Sequence, residues 1–169
     1  VDLNTGDGAD TVDVGVLDGT DLEDLMLDTG AGDDTIVLAD GASLGNGTGT
    51  LDGGADADTL DYSAYSTDVV VDLMAGTATG TTGVSGIEEV IGGSGDDMLA
   101  GSAGDDILTG GAGDDTFVGN GGTDTVDGGS GGDTILVEGT PGDDVLSTAV
   151  VGGELVVNGT DTYTLTGGD

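Results

Sequence analysis

From residue 92 the chain reads GGSGDDMLA, GSAGDDILT, GGAGDDTFV, GNGGTDTVD and GGSGGDTIL, five nonapeptides in succession without a gap. A period this short and strict restricts the chain to stacked repeats, because no nine-residue unit can bury an apolar face alone. The sixth position of each unit is an aspartate (Asp97, Asp106, Asp115, Asp124, Asp133) and the eighth is apolar (Leu99, Leu108, Phe117, Val126, Ile135). Backward, residues 83–91 keep glycine at positions one and four, with Glu88 in the acidic slot and Val90 in the apolar slot, so six units run over 83–136. Forward, Val137 and Glu138 shift the phase by two residues before a seventh unit, GTPGDDVLS, which carries Asp144 and Leu146.

The N-terminal third uses the same loop at another spacing. LNTGDGADTV from Leu3, LDTGAGDDTI from Leu27 and LDGGADADTL from Leu51 superimpose at an interval of 24, aligning Asp10, Asp34 and Asp58, and also Val12, Ile36 and Leu60. LMAGTATGTT from Leu73 reads as a fourth copy stripped of acids, expected to form a coil that holds no metal.

Each position of the nonapeptide has a physical reading. A glycine-rich hexapeptide accepts the positive φ of a tight turn and lets backbone carbonyls converge without Cβ interference. The residues after it, such as Asp115-Thr116-Phe117, suit a short strand with threonine outward and the eighth position inward. Two units then make one 18-residue turn of a flattened coil, and successive coils pair as parallel strands with the eighth-position residues stacked between two sheets. The expected fold is all-β, a right-handed parallel β-solenoid. Coils of 24 residues would carry one glycine loop and one longer return, such as 38–51. The expected organisation is a 24-residue-coil solenoid and linking segment over 1–82, a nonapeptide roll over 83–147, and C-terminal strands over 148–169. That last part is either a hairpin about Asn158-Gly159 capping the stack or one more coil.

Stacking like on like raises an electrostatic problem. Asp97, Asp115 and Asp133 would line one edge and Glu88, Asp106 and Asp124 the other, each about 5 Å from the next. Carboxylates so close cannot all stay ionised in a partly dry turn. The chain has 35 Asp plus Glu and no Lys, Arg or His, a formal charge of −35, so no side chain can neutralise them. A hard divalent cation held by carboxylate and carbonyl oxygens can, and Ca2+ suits irregular turns better than Mg2+, which keeps its waters and demands an octahedron.

The same absences exclude function classes. Nucleic acid and anionic membrane surfaces would be repelled. Without His, Cys or Lys there is no activated nucleophile, Schiff base or soft-metal site, and four aromatics (Phe117, Tyr62, Tyr65, Tyr163) do not wall a glycosidase cleft, so no enzyme activity is expected. No apolar run approaches the roughly 20 residues of a membrane-spanning helix. Zero cysteines leave the redox compartment unread.

The motif GGxGxDxUx, met in full over 92–100, 110–118 and 128–136, resembles that of the repeats-in-toxin (RTX) proteins, the haemolysin-type calcium-binding repeat family of the bacterial parallel β-roll. Related loops lie at 5–13, 29–37, 53–61 and 139–147, and LDYSAYSTDVVVDLMAGTATG with the following GIEEVIGGSGDDMLAG resembles a linking segment common in bacterial proteins of this kind. The resemblance implies several calcium ions held between loops of successive coils, by glycine-loop carbonyls and the carboxylates of Asp97, Asp106, Asp115, Asp124, Asp133, Asp144, Asp10, Asp34, Asp58 and Glu88. It also implies an extracellular protein that leaves the cell unfolded by type I secretion and folds in external calcium. Ser102 and Asn120 depart from the second glycine, which left-handed turn angles or a small loop shift would accommodate, and Asp56 replaces the fourth, where its Cβ challenges the turn.

Fifth-position acids (Asp33, Asp96, Asp105, Asp114, Asp143) are read as solvated, the seventh-position threonines as strand-face residues rather than an ice-binding ladder, and Tyr62, Tyr65 and Tyr163 as edge packing. Three functions fit: a calcium-rigidified structural module of a secreted bacterial adhesin, surface layer or filament; the folding and secretion module of an exported enzyme catalysing elsewhere; or a loosely ordered calcium-buffering segment. Coils of two lengths favour the first. The closing Gly167-Gly168-Asp169 resembles another motif, so coils are expected to continue, either covalently or by head-to-tail self-association.

Overall fold

The computed structural model describes residues 2–16, 25–44, 49–138, 147–149 and 154–158. Among them are seventeen strands and no helix. Three sheets contain them. One has four strands, β1 (Asp2–Asn4), β3 (Met26–Asp28), β5 (Thr50–Asp52) and β9 (Gly83–Ser85), paired in that order. The second has seven, in the order β2 (Thr11–Val14), β4 (Thr35–Leu38), β6 (Thr59–Asp61), β10 (Glu89–Ile91), β12 (Ile107–Ala112), β14 (Thr125–Ser130) and β16 (Ser147–Ala149). The third has six, in the order β8 (Thr77–Ala78), β7 (Val70–Asp72), β11 (Met98–Ala100), β13 (Thr116–Val118), β15 (Thr134–Glu138) and β17 (Glu154–Asn158). The four- and six-stranded sheets share one wall opposite the seven-stranded sheet, since strands of both feed loops on the same edge. This is a parallel β-roll.

Register follows the repeat. Val12, Ile36, Leu60, Val90, Leu108 and Val126 are successive partners across the seven-stranded sheet. Opposite them run Leu3, Leu27, Leu51 and Val84, and then Val71, Leu99, Phe117 and Ile135. Burial of these ladders is what holds the coils together. Ile36, Leu60, Val90, Leu99, Leu108 and Phe117 are fully buried in one continuous core, and at ~25 cal/mol per Å2 of apolar surface each such side chain contributes about 1.5–3 kcal/mol. A one-residue slip would turn every ladder outward, so the alternation itself fixes the register.

Residues 73–82 are not a fourth coil. Val71 pairs antiparallel with Ala78, so β7 and β8 form a tight hairpin. Asp72 Oδ1 accepts the Ala75 amide at 2.7 Å, and Gly76 takes a φ of 69°. A side-chain acceptor of this kind ends a strand by supplying the backbone with a local hydrogen-bond partner. The chain then re-enters the stack at β9, where Thr50 pairs with Gly83. Tyr62 and Tyr65 fill the interior where coil length changes, rather than an edge. Their rings meet edge to face with centroids 5.1 Å apart, and their hydroxyls donate to the Thr79 carbonyl (2.7 Å) and the Ala42 carbonyl (2.8 Å). Beyond the seventh unit, β17 pairs parallel with β15 (Ile135 with Leu155), one more rung of the coil. Asp143, Asp144, Leu146 and Tyr163 lie outside the described residues.

Candidate metal centre

Among the described residues the buried charges are sixth-position carboxylates. Asp34, Asp58, Asp97, Asp106, Asp115, Asp124 and Asp133 are at most 5% exposed, while Asp10 and Glu88 are half-buried. Parallel pairing sorts them into two files. Loops 5–10, 29–34, 53–58, 86–88, 101–106 and 119–124 lead into the seven-stranded sheet, and loops 92–97, 110–115 and 128–133 lead into the six-stranded sheet.

Within each file one carboxylate oxygen is committed to the neighbouring coil. Oδ1 of Asp34 accepts the Asp10 amide (2.7 Å), Oδ1 of Asp58 that of Asp34 (2.9 Å), Oδ1 of Asp115 that of Asp97 (2.8 Å), Oδ1 of Asp133 that of Asp115 (3.0 Å) and Oδ1 of Asp124 that of Asp106 (3.0 Å). Glu88 plays the same part, its Oε2 taking the Asp58 amide at 3.1 Å, so the extra methylene is tolerated. Asp97 accepts instead from the Val69 amide, at 2.7 Å, because the segment before β7 occupies the place of a loop there.

The other oxygen turns back over its own loop. A Cβ on Gly53 would stand 2.8 Å from Asp58 Oδ2, and one on Gly110 or Gly128 would collide with Oδ2 of Asp115 or Asp133. First-position glycine therefore makes room for a carboxylate. Second and fourth positions need glycine for backbone shape: in the loop 29–34, Gly30 and Gly32 have φ of 101° and 125°. Asp56 and Asn120 adopt the same left-handed region (80° and 71°), which Asp and Asn tolerate best among residues with a Cβ, so both loops keep their form. Ser102 takes no positive φ and instead bonds Asp106 through its amide and hydroxyl.

The described fifth-position acids, Asp33, Asp96, Asp105 and Asp114, are exposed as expected, but they are not merely solvated. Asp96 Oδ1 accepts the Asp114 amide (2.9 Å), Asp114 the Gly132 amide (2.8 Å), Asp105 the Thr123 amide (2.7 Å) and Asp33 the Ala57 amide (3.1 Å). This ladder reaches forward to the next coil, whereas the sixth-position ladder reaches back. The Asp-Asp dipeptide thus ties a loop to both neighbours, and its recurrence in GDD was the sequence signal for it.

Burial raises the proton affinity of Asp58, Asp97, Asp106 and Asp115. Desolvation, with Asp97 and Asp133 adding repulsion, lifts Asp115 from 3.8 to about 6 against the opposing hydrogen bond from the Asp97 amide. Asp58, Asp97 and Asp106 are raised for the same first reason, with amide hydrogen bonds at each opposing the shift.

Five of these carboxylates keep an unpartnered buried oxygen: Oδ2 of Asp10, Asp34, Asp58, Asp115 and Asp133. A buried anionic oxygen without a donor costs several kcal/mol, of order 1–3 and more for a charge. Among the described residues no three carboxylates converge on one point, so a cation here would draw its remaining oxygens from the loop carbonyls. All-oxygen donors, anionic charge and loops shaped by glycine fit Ca2+.

The fold and its acid-lined turns define a class: a calcium-binding parallel β-roll. Residues 26–44, 82–117 and 101–135 match the family model of the RTX calcium-binding nonapeptide repeat (4 copies). The chain carries RTX repeats and is a calcium-binding module of the kind found in RTX proteins. No curated protein matches it. Loops 5–10 and 53–58 fall outside the matched segments yet share the φ pattern of 29–34, which lies within them.

Proposed function

We propose that this chain is a calcium-folded structural module of a secreted bacterial extracellular protein, an adhesin, surface layer or filament, with no catalytic role of its own. One observation carries the reading: among the described residues five buried carboxylate oxygens lack a partner, in a chain with no basic side chain. Asp10, Asp34, Asp58, Asp115 and Asp133, each with an unpartnered oxygen, are the proposed ligands, with Glu88, Asp124 and Asp144 at the margins. Bound calcium supplies the positive charge that lets stacked carboxylates remain ionised at neutral pH. Chain groups do the rest: amides of the adjoining coil orient Oδ1, and first-position glycines give Oδ2 its space.

Such a module responds to location. At a Kd of about 10⁻⁴–10⁻³ M, typical of extracellular sites, cytosolic calcium leaves it unfolded and external calcium folds it, which suits export as an unfolded chain by type I secretion. Titrating the EDTA-stripped chain with calcium while recording circular dichroism tests this. Strand content should appear at roughly millimolar calcium; a spectrum that calcium leaves unchanged overturns it.

A further inference from the structure

The six-residue loops are not equivalent. In the five loops whose Oδ2 is unpartnered, the second residue has a φ between 83° and 110°. In loops 92–97 and 101–106 the second residues, Gly93 and Ser102, take no positive φ. There the amide is turned onto the carboxylate: Gly93 donates to Asp97 Oδ2 at 2.7 Å and Ser102 to Asp106 Oδ2 at 2.7 Å, joined by the Ser102 hydroxyl at 3.1 Å. Asp97 thus receives amides on both oxygens, from Val69 and Gly93. Backbone amides converging on an anion satisfy it much as a cation does, by offering partial positive charge at hydrogen-bonding distance.

The cause lies in what each loop rests on. Elsewhere left-handed glycines stack on the preceding loop, as Gly111 does on the Gly93 carbonyl. Loop 92–97 rests on the segment 65–68: a Cβ on Gly93 would strike the Tyr65 carbonyl, and one on Gly95 would stand 2.5 Å from the Asp68 amide nitrogen. Those glycines serve close approach, and the turn is closed by its own amide.

Resting on the calcium reading above, we propose that calcium is taken up through two separated groups of loops, 5–10/29–34/53–58 and 110–115/128–133, while loops 92–97 and 101–106 close on their own amides without a metal. The joint between the two kinds of coil is then a metal-independent seam, from which calcium-dependent order extends in both directions.

The test compares bound calcium, by equilibrium dialysis with metal analysis, for the 169-residue chain and four variants. Asp34→Asn and Asp115→Asn should each lose bound ions or raise the calcium midpoint roughly tenfold or more, whereas Asp97→Asn and Asp106→Asn should keep the parent's stoichiometry. Should Asp97→Asn fail to fold, the unsubstituted, calcium-loaded chain decides by NMR. A scalar coupling across the Gly93 amide and the Asp97 carboxyl supports the closed loop, and its absence overturns it. Equal ion loss in all four variants overturns the division while leaving calcium binding intact. A parent chain that binds no calcium at millimolar concentration overturns the underlying reading instead.

Discussion

The stack of 24-residue coils and the stack of 18-residue coils are built on one loop and differ in what closes the turn. In residues 2–61 each coil carries one acid loop, and on the way back from β4 (Thr35–Leu38) Leu44 is fully buried and its amide donates to the Gly80 carbonyl at 2.7 Å. In residues 83–136 both edges are acid loops, and the core narrows to single ladder residues such as Leu99 and Phe117. The longer coil holds a wider apolar interior per unit of buried charge. The shorter coil buries two carboxylates per turn, so its stability depends more on whatever neutralises them.

The largest test of that contrast is removal of calcium as a function of pH. Three of the four raised carboxyls, Asp97, Asp106 and Asp115, lie in the 18-residue stack, and the fourth, Asp58, is at the end of the other. A carboxyl raised in the folded state binds more protons folded than unfolded, so the metal-free fold gains stability as pH falls from about 6 to 3.8 and loses it as pH rises through about 6. In EDTA the chain should therefore lose its strand signal at pH 7 and regain much of it near the lower end of that window. Hydrogen exchange should show residues 110–136, beyond the amide-closed loops, opening before 2–61 as pH rises. Simultaneous opening would dissolve the contrast between the stacks. With calcium present the sign reverses for binding, and acid should raise the calcium midpoint as protons compete for the same oxygens.

Next in size is a glycine pair chosen to ask whether the loop is truly common. Gly30 and Gly111 have φ of 101° and 110°, and a Cβ on either would strike the backbone carbonyl of the preceding coil, Gly6 or Gly93. Gly30→Ala and Gly111→Ala should each destabilise the calcium-loaded chain by about 2–3 kcal/mol in chemical denaturation. A several-fold difference between the two would mean that coil length reshapes the loop.

A smaller difference separates neighbouring acids. Asp115→Ala should raise the calcium midpoint for folding roughly tenfold, since it removes a proposed, buried ligand and leaves the Asp97 amide unpaired. Asp96→Ala, at an exposed site, should cost only about 0.5–1 kcal/mol, the worth of its bond from the Asp114 amide. Equal calcium midpoints would refute the sixth-position assignment. Of similar modest size, Tyr62→Phe at the joint should cost about 1 kcal/mol by thermal denaturation, the bond to the Thr79 carbonyl.

Much of this architecture is legible because it is local and repeated. Asp at position six and an apolar residue at position eight recur with a fixed offset, and parallel stacking at a constant period can only place like upon like. Hence the partition of Asp97, Asp115 and Asp133 from Glu88, Asp106 and Asp124 follows from counting alone, and the pairing of β10 with β12 and of β11 with β13 has the same register. Composition, with no cation on the chain, likewise required a positive partner from outside.

Tertiary contact decided the rest. LMAGTATGTT looks like a loop by its glycines, but a short antiparallel return is formed instead, with the Val70 amide bonded to the Thr79 hydroxyl and Asp72 closing the turn. Gly93 and Gly111 occupy the same repeat position and have different backbone angles, because one lies on Tyr65 and the other on Gly93 itself. A repeat determines which residues face one another once coils are stacked. What each loop's amides and carboxylates bond to depends on the segment beneath it, and that neighbour can lie 30 residues away in the chain, as for Glu88 and Asp58.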